Sequence, residues 1–596
     1  MTSKSLIKKT LKCLNSKRLE DINEWKIVGS ILKNEFKEDG YNIFKEWSTK
    51  QYEDISIEKI WKKLNNTAHT FETLKLFAKE DNIFEYTKAF HPFNFKKACT
   101  TTLLAVYFKD LFKDRFVHSK NKLYYFNGVY WEEEEKNIYA QLNKFISNQF
   151  YKLIYKWNLY YQQLNLDEED DDKRILENKN LQQWVKDLNG LLDHKKREKY
   201  IKDMICHLNN NSIEFDVNKY LFAFKNKIYD LKLDEFTYPN YEDYVSMTTG
   251  YDYDEDYDTE NKVKIVSDII ATIFPNKEIL NYYMTILSTG LDGQNLEKFV
   301  IANGGGRNGK GLINELTQSA VGKYCYILPS NVFTGSLKKG SNPEIANLHN
   351  VRIAFTREPD AQTPISASVV KELTGGDEIN ARLNHSNDTE ISLCLTLIME
   401  CNEKPLMSEV NDATALRIED VPFESTFYRK EDYDKLSEEE KATAFIGNKE
   451  FKTKQFKNAH KQALFEILRG YYKSYRENGS NLIYSDLIKK RNKDYLLASD
   501  RLNEFITENY LNTGDDKDRI KLKRLFEDFK ISDYYKNLTK QEMNNLTYKK
   551  FQENLQKNYF LKKCIVLNKD KVLELRGFIE KPDEDSDDEE DDDDEE

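Results

Sequence analysis

The sequence predicts a multidomain α/β protein, and three observations carry that expectation. A length of 596 residues exceeds what one hydrophobic core holds, at about 100 to 200 residues per domain. Between Lys262 and Phe423, helical periodicity alternates with the apolar runs "KFVIANG", "VRIAFTRE" and "SLCLTLIMEC", the pattern of a sheet covered by helices. The flanks lack that alternation. The first 90 residues place apolar positions three and four apart, and the C-terminal part reads as helices followed by two strand-like runs. The expected division is a helical domain over 1–92, an α+β domain over 93–260, an α/β core over 261–430, a small helical or winged-helix-like domain over 431–581 and an acidic tail over 582–596.

Taken in order, "INEWKIVGSILKNE" and "SIEKIWKKLNN" are amphipathic helices, with Trp25, Trp47 and Trp61 as core anchors. "FVHSKNKLYYFNGVYW" alternates and contains Asn127–Gly128, a hairpin signal. "DEEDDD", Asp167 to Asp172, reads as a solvated loop because its like charges repel. "KYLFAFKNKIYDLK" is strand-like. "YDYDEDYDTE" contains a D-x-D pair, Asp252 and Asp254, but no apolar strand carries it and the segment reads as a linker. Beyond the core, Phe456 to Arg476 and Asp500 to Tyr510 are helical, and "YFLKKCIVLNKDKVLELRGF" ends the chain as a hairpin.

Composition narrows the classes. No apolar run is long enough to span a bilayer, and the N-terminus has neither the apolar stretch nor the cleavage site of a secretory signal. Seven dispersed cysteines without a C-x-x-C pair suggest neither a zinc site nor a disulfide framework, which fits a reducing, intracellular setting. The net charge is −12, yet thirteen of the last fourteen residues are acidic, so the remainder stands at +1. The body can therefore carry local basic surfaces, while the tail reads as a solubilising polyanion or a nucleic-acid mimic.

The chemistry concentrates at "GGGRNGKG", Gly304 to Gly311. It follows an apolar strand and precedes an apolar-periodic helix, the context in which glycine-rich backbone N–H groups converge on phosphate and a lysine, here Lys310, reaches the β- and γ-phosphates. The next position, ordinarily a Ser or Thr hydroxyl for magnesium, is Gly311. "VRIAFTREPD" ends in Glu358 and Asp360, where a carboxylate would position magnesium and polarise water. "LTLIMEC" ends at Asn402, placed to hold that water or the γ-phosphate.

The ordered set "NGGGRNGKGLINEL", "IAFTREPD", "KELTGGDEINARL", "LTLIMECNEKP" and "ATALRIEDVPF" resembles the superfamily 3 helicase region of the poxvirus-type primase-helicases of large DNA viruses and related phages or plasmids. "LYYFNGVYW", "FDVNKYLFAFKNKIYDL" and "DYVSMTTGYDY" resemble the domain preceding it. "EWKIVGSILKN", "FKEWSTK", "IEKIWKKL" and "TLKLFAKEDN" resemble the helical domain that follows the primase, so the likeness covers nearly the whole chain. It implies an AAA+ type core with ATP and Mg2+ as cofactors, and a homo-hexameric ring that moves on single-stranded DNA and opens forked DNA at a viral replication fork. It also implies a cytoplasmic replication factory rather than the nucleus, with no membrane association.

In that reading Gly304, Gly305, Gly306, Arg307, Asn308, Gly309, Lys310 and Gly311 cradle phosphate. Lys310, Glu358 and Asn402 are catalytic, Glu358 and Asp360 hold magnesium, Arg382 and His385 touch DNA, and Arg417 is the finger that reaches a neighbour's ATP. The polymerising primase domain of the family is absent from the sequence, so primer synthesis is not expected and a separate primase and fork proteins are expected partners. Gly311 keeps open a non-catalytic ATP-binding scaffold. A metabolic kinase with a phosphate loop is a third reading.

Overall fold

The computed structural model describes residues 4–581 apart from 65–68, 134, 165–170, 336, 338–341, 360–362, 377, 382–388 and 537–539. Contacts divide the chain into two compact units, one of Met1–Tyr229 with Glu235–Met247, the other of Asp230–Asp234 with Thr248–Glu596.

In the first unit, regular structure among the described residues as far as Phe90 is entirely helical. Trp25 and Trp47 are buried, and the Trp25 indole donates to Ser48 Oγ at 2.8 Å. Trp61 is half-buried against Tyr41 and Phe44. The expected hairpin is a three-stranded antiparallel meander, Phe116–Ser119, Lys122–Phe126 and Trp131–Glu132. Its first turn is Lys120–Asn121, with φ of 49° and 64°, a left-handed pair that the sequence reading passed over because neither residue is glycine. Asn127 builds the second turn by accepting from the backbone N–H groups of Val129 and Tyr130. Of the acidic stretch, residues 167–170 lie outside the described set, and Asp171 and Asp172 open a helix, Asp171–Leu192. Strands Leu221–Ala223 and Ile228–Asp230 join Glu235–Thr237 in a small sheet.

The second unit is built on a five-stranded parallel sheet: β1 (Phe299–Asn303), β2 (Cys325–Leu328), β3 (Ile353–Arg357), β4 (Thr396–Cys401) and β5 (Ile418–Pro422), in the order β5-β1-β4-β3-β2. Burial on both faces explains the unbroken apolar run of β1. Helices α1 (Thr259–Ile273), α2 (Lys277–Thr289) and α3 (Lys310–Val321) precede and follow β1, and all three pack on the long α4 (Lys454–Glu477). The "YDYDEDYDTE" segment is a strap rather than a linker. Tyr251 donates to Ala320 O (2.9 Å), Tyr253 to Glu466 (2.8 Å) and Tyr257 to Ala459 O (2.8 Å), so all three of its tyrosines fasten it to α3 and α4.

After α5 (Asp486–Ser499), the single residue Asp500 leads into α6 (Arg501–Asn509). Then come β6 (Tyr510–Asn512), β7 (Arg519–Lys521), α7 (Leu522–Ile531), α8 (Tyr548–Lys557), β8 (Ile565–Leu567), β9 (Leu573–Arg576) and β10 (Phe578–Glu580). The sheet order β7-β9-β8, with β6 paired to β10, closes over a core that includes Phe505, Leu525, Phe551 and Leu575. No helix among the described residues is long and apolar enough to cross a membrane.

Candidate active site

Strand β1 delivers the glycine loop at its carboxyl end, and Gly309 caps the helix that follows. Gly309 has φ 87°, and a Cβ there would lie 2.5 Å from the Ile273 side chain, so both conformation and space require glycine. Arg307, exposed and with φ 50°, is anchored by its carbonyl, which accepts from Phe427 N at 2.7 Å. A Cβ at Gly305 or Gly311 would meet nothing within 4 Å, leaving open space over the loop. Asn308 is 4% exposed and its amide Nδ2 has no hydrogen-bond partner, an orphaned donor within the loop itself.

The sheet order decides what faces this loop. Because β4 lies beside β1, with Cys401 opposite Asn303, the next residue on each strand brings Asn402 alongside Gly304. The Lys310 amine donates to Gly304 O (2.6 Å) and Cys401 O (2.8 Å) and lies 3.5 Å from Asn402 Oδ1. Burial holds that amine below its ordinary pKa, against the pull of nearby Cys401, Glu400 and Glu358. Glu358, just beyond β3, donates its backbone N–H to Glu400 O at 2.8 Å. Its Oε2 accepts from the N–H groups of Asn402 (2.6 Å) and Glu403 (3.2 Å). Lys310, Glu358 and Asn402 are thus brought together at one end of the sheet.

Two features escaped the sequence reading. Glu400 interrupts an apolar strand two residues before Asn402. Burial raises its pKa, while a hydrogen bond from Asn314 on α3 and the charges of Lys310 and Arg357 oppose that rise. The visible signal was an acid inside "LTLIMEC". The second is a clasp behind the loop. Asp420, fully buried on β5, accepts from Asn303 Nδ2, pairs with Lys404 at 2.9 Å and with Arg491 of α5 at 3.3 Å, and Arg491 also donates to Asn303 Oδ1 at 3.1 Å. Its neighbour Glu419 is matched by Lys298 (2.8 Å), Tyr282 (2.6 Å), Tyr484 (3.0 Å) and Asn492 (2.8 Å). Buried carboxylates of this kind persist only when paired.

Arg417 stands at the opposite end of the sheet from the loop, at the foot of β5, where its carbonyl accepts from Phe299 N at 2.7 Å. Its guanidinium donates to Thr374 Oγ1 (3.1 Å) and Ala413 O (2.9 Å) and lies 3.5 Å from Glu297. Asp360, Arg382 and His385, and the acidic tail, lie outside the described residues.

Two family descriptions match this chain: primase C terminal 2 over residues 7–78 and D5 N terminal like over 105–275. Both matches are consistent with the D5-type primase-helicases of large DNA viruses. A provisionally named helicase of Acanthamoeba polyphaga mimivirus is 24% identical over 557 residues, which are 89% of this chain and 56% of that protein. Another, from Invertebrate iridescent virus 3, is 25% identical over 93% of this chain and 65% of its own length. Primase D5 of Fowlpox virus is 28% identical over 47% of this chain and 36% of its own. The chain thus spans less than two thirds of the length of these relatives, two of which are named as helicases and one as a primase.

Proposed function

We propose that the chain is an ATP-dependent DNA helicase of superfamily 3 that moves along single-stranded DNA as a hexameric ring during viral DNA replication, in the host cytoplasm. The observation that carries this reading is the Lys310 amine, held by Gly304 O and Cys401 O beside Asn402, with Glu358 anchored next to it. The strand order β5-β1-β4-β3-β2 supports an AAA+ type core, since it sets the asparagine strand between the loop strand and the acidic strand. The terminal helices and hairpin support a winged-helix-like domain.

The open space at Gly305 and Gly311 and the orphaned Asn308 amide suit an anion, so the residues fit the phosphates of ATP. On binding, Lys310 exchanges two carbonyl partners for phosphate oxygens, whose negative charge favours the ammonium form that burial disfavours. Glu358, fixed by two backbone N–H groups, orients the attacking water, and Asn402 holds it in line with the γ-phosphate. Glu358 and Asp360 would hold magnesium, which neutralises charge developing on the phosphates. Arg417 is too far from its own loop to act there: β5 spans five residues, about 16 Å at 3.3 Å each. It acts on a neighbour's ATP in a head-to-tail ring. Arg382 and His385 contact DNA in the channel, and a separate primase and fork proteins are the remaining partners.

The test is ATP turnover with and without single-stranded DNA, measured beside the mass of the assembly. DNA-stimulated turnover in a hexamer is the expected result. Gly311 favours a second reading, a non-catalytic ATP-binding replication scaffold that recruits a primase. Tight ATP binding with no turnover under any DNA condition decides for it.

A further inference from the structure

The C-terminal winged region divides its cations unevenly. Three of its arginines are engaged internally: Arg519 with Glu574 (3.7 Å), Arg524 with Asp528 (3.9 Å) and Glu580, Arg576 with Asp516 (3.4 Å). From Leu546 to Val572, by contrast, seven lysines face only two acids, Glu553 and Asp570. Lys562 pairs with Asp412. Lys549, Lys557, Lys563, Lys569 and Lys571 are exposed and form no ion pair among the described residues.

The fold presents these lysines on fixed supports. Helix α8 buries Phe551 and Leu555, with Phe551 packed on Phe526 and Phe529 at ring separations of 5.1 and 5.5 Å. At about 100° per residue, Lys549, Glu553, Gln556 and Lys557 therefore occupy the outward side. The β8–β9 turn is built on Asn568, whose Oδ1 accepts from Asp570 N and Val572 N at 2.9 Å each and whose amide donates to Glu574 at 2.7 Å. Lys569 and Lys571 project from that braced turn, joined to α8 by a short connection of residues 558–564.

We propose that α8 and the β8–β9 turn form a binding surface for duplex DNA, separate from the ATPase centre. An α-helix fits the major groove, about 12 Å wide, and lysines at its ends and on a flanking turn are suited to the phosphates on either side. Duplex is favoured over single strand because single-strand sites stack bases on aromatic rings, whereas the outward face of α8 carries lysine, glutamate and glutamine.

The test uses the full chain without nucleotide and a fluorescent 20-base-pair duplex, titrated over a salt series. Contacts from five lysines give a log affinity against log salt slope of about −4.5, at about 0.9 per phosphate. The double variants Lys549→Ala with Lys557→Ala, and Lys569→Ala with Lys571→Ala, are each expected to make the slope shallower by about 2 and to weaken binding about tenfold at low salt. Lys449→Ala with Lys452→Ala, exposed cations outside the surface, serves as the control. Turnover without DNA is unaffected in all three. Unchanged affinity and slope in both α8 and turn variants, with the native melting profile retained, overturns the proposal. So does displacement of the duplex by a single strand of equal phosphate number as readily as by unlabelled duplex. Because no nucleotide is present, an inactive ATPase leaves this test intact.

Discussion

Replacing Gly311 by serine and, separately, by alanine separates the missing hydroxyl from the helix that would carry it. Gly311 is the second residue of α3, its φ is not left-handed, and a Cβ there meets nothing within 4 Å, so neither substitution strains the fold. Glycine costs a helix about 1 kcal/mol relative to alanine and serine about half of that, so alanine should stabilise by about 1 kcal/mol and serine by about 0.5. For 150–250 residues, 1 kcal/mol moves the melting temperature by about 2–4 °C, and by less in a longer unit. The expected rises are therefore about 1–2 °C for alanine and about half of that for serine. Only serine adds an oxygen at the position that in related loops touches magnesium. Gly311→Ser should therefore lower the magnesium concentration for half-maximal ATP turnover, and Gly311→Ala should not. Thermal melting and magnesium titrations on the three proteins read both effects. If alanine and serine shift the magnesium requirement equally, the hydroxyl is not responsible; if melting falls for either, the open space above the loop is misjudged.

Lys310→Ala should abolish turnover while retaining the native circular dichroism spectrum, because the amine bridges β1 and β4 without supporting a core. Burial places the Lys310 pKa below 10.5, and bound phosphate favours the charged amine. ADP affinity should be full below the lowered pKa and decline as pH rises through it, which a Lys310→Arg protein would resist. The unfolded chain holds that proton to higher pH, so this residue makes the empty protein more stable across the same rise, checked by urea melts. Arg417→Ala should form hexamers yet lose turnover by about 10³-fold. Mixed with Lys310→Ala subunits it should recover activity, since an intact loop then meets an intact finger; inactive mixed rings, verified by mass, would remove the trans role. Because Arg417 also holds Thr374 and Ala413, a melting temperature lowered together with activity marks a structural part.

The loop, its strand and its helix were legible because each depends on short-range signals: an unbroken apolar run, clustered glycines, then a 3.6-residue period. Glu358 and Asn402 were legible as polar endings of apolar strands. The insertion of β4 between β1 and β3 was not, since nothing local to "LTLIMEC" states which strands will flank it, and the bond from Glu358 N to Glu400 O exists only through that pairing. The tyrosine strap was misread for a related reason. Its aspartates gave a solvated composition, while its three tyrosines find partners on helices 69 to 213 residues away. Arg417 was legible as a charge, but its present partners, Thr374 and Glu297, come from distant segments that only the folded sheet assembles.

Asp420 joins Asn303 ahead of the loop, Lys404 after the asparagine strand and Arg491 on α5 through one fully buried carboxylate. Its removal leaves Asn303 and two part-exposed cations without their acceptor at a cost of about 1.5–3 kcal/mol, set against a total stability of about 5–15 kcal/mol for a folded domain. In genetic terms this clasp is where conditional alleles should collect. Asp420→Asn retains hydrogen bonding but not charge, and would yield a chain that works in the cold and is lost in the warm, with the defect in protein abundance rather than in turnover per molecule.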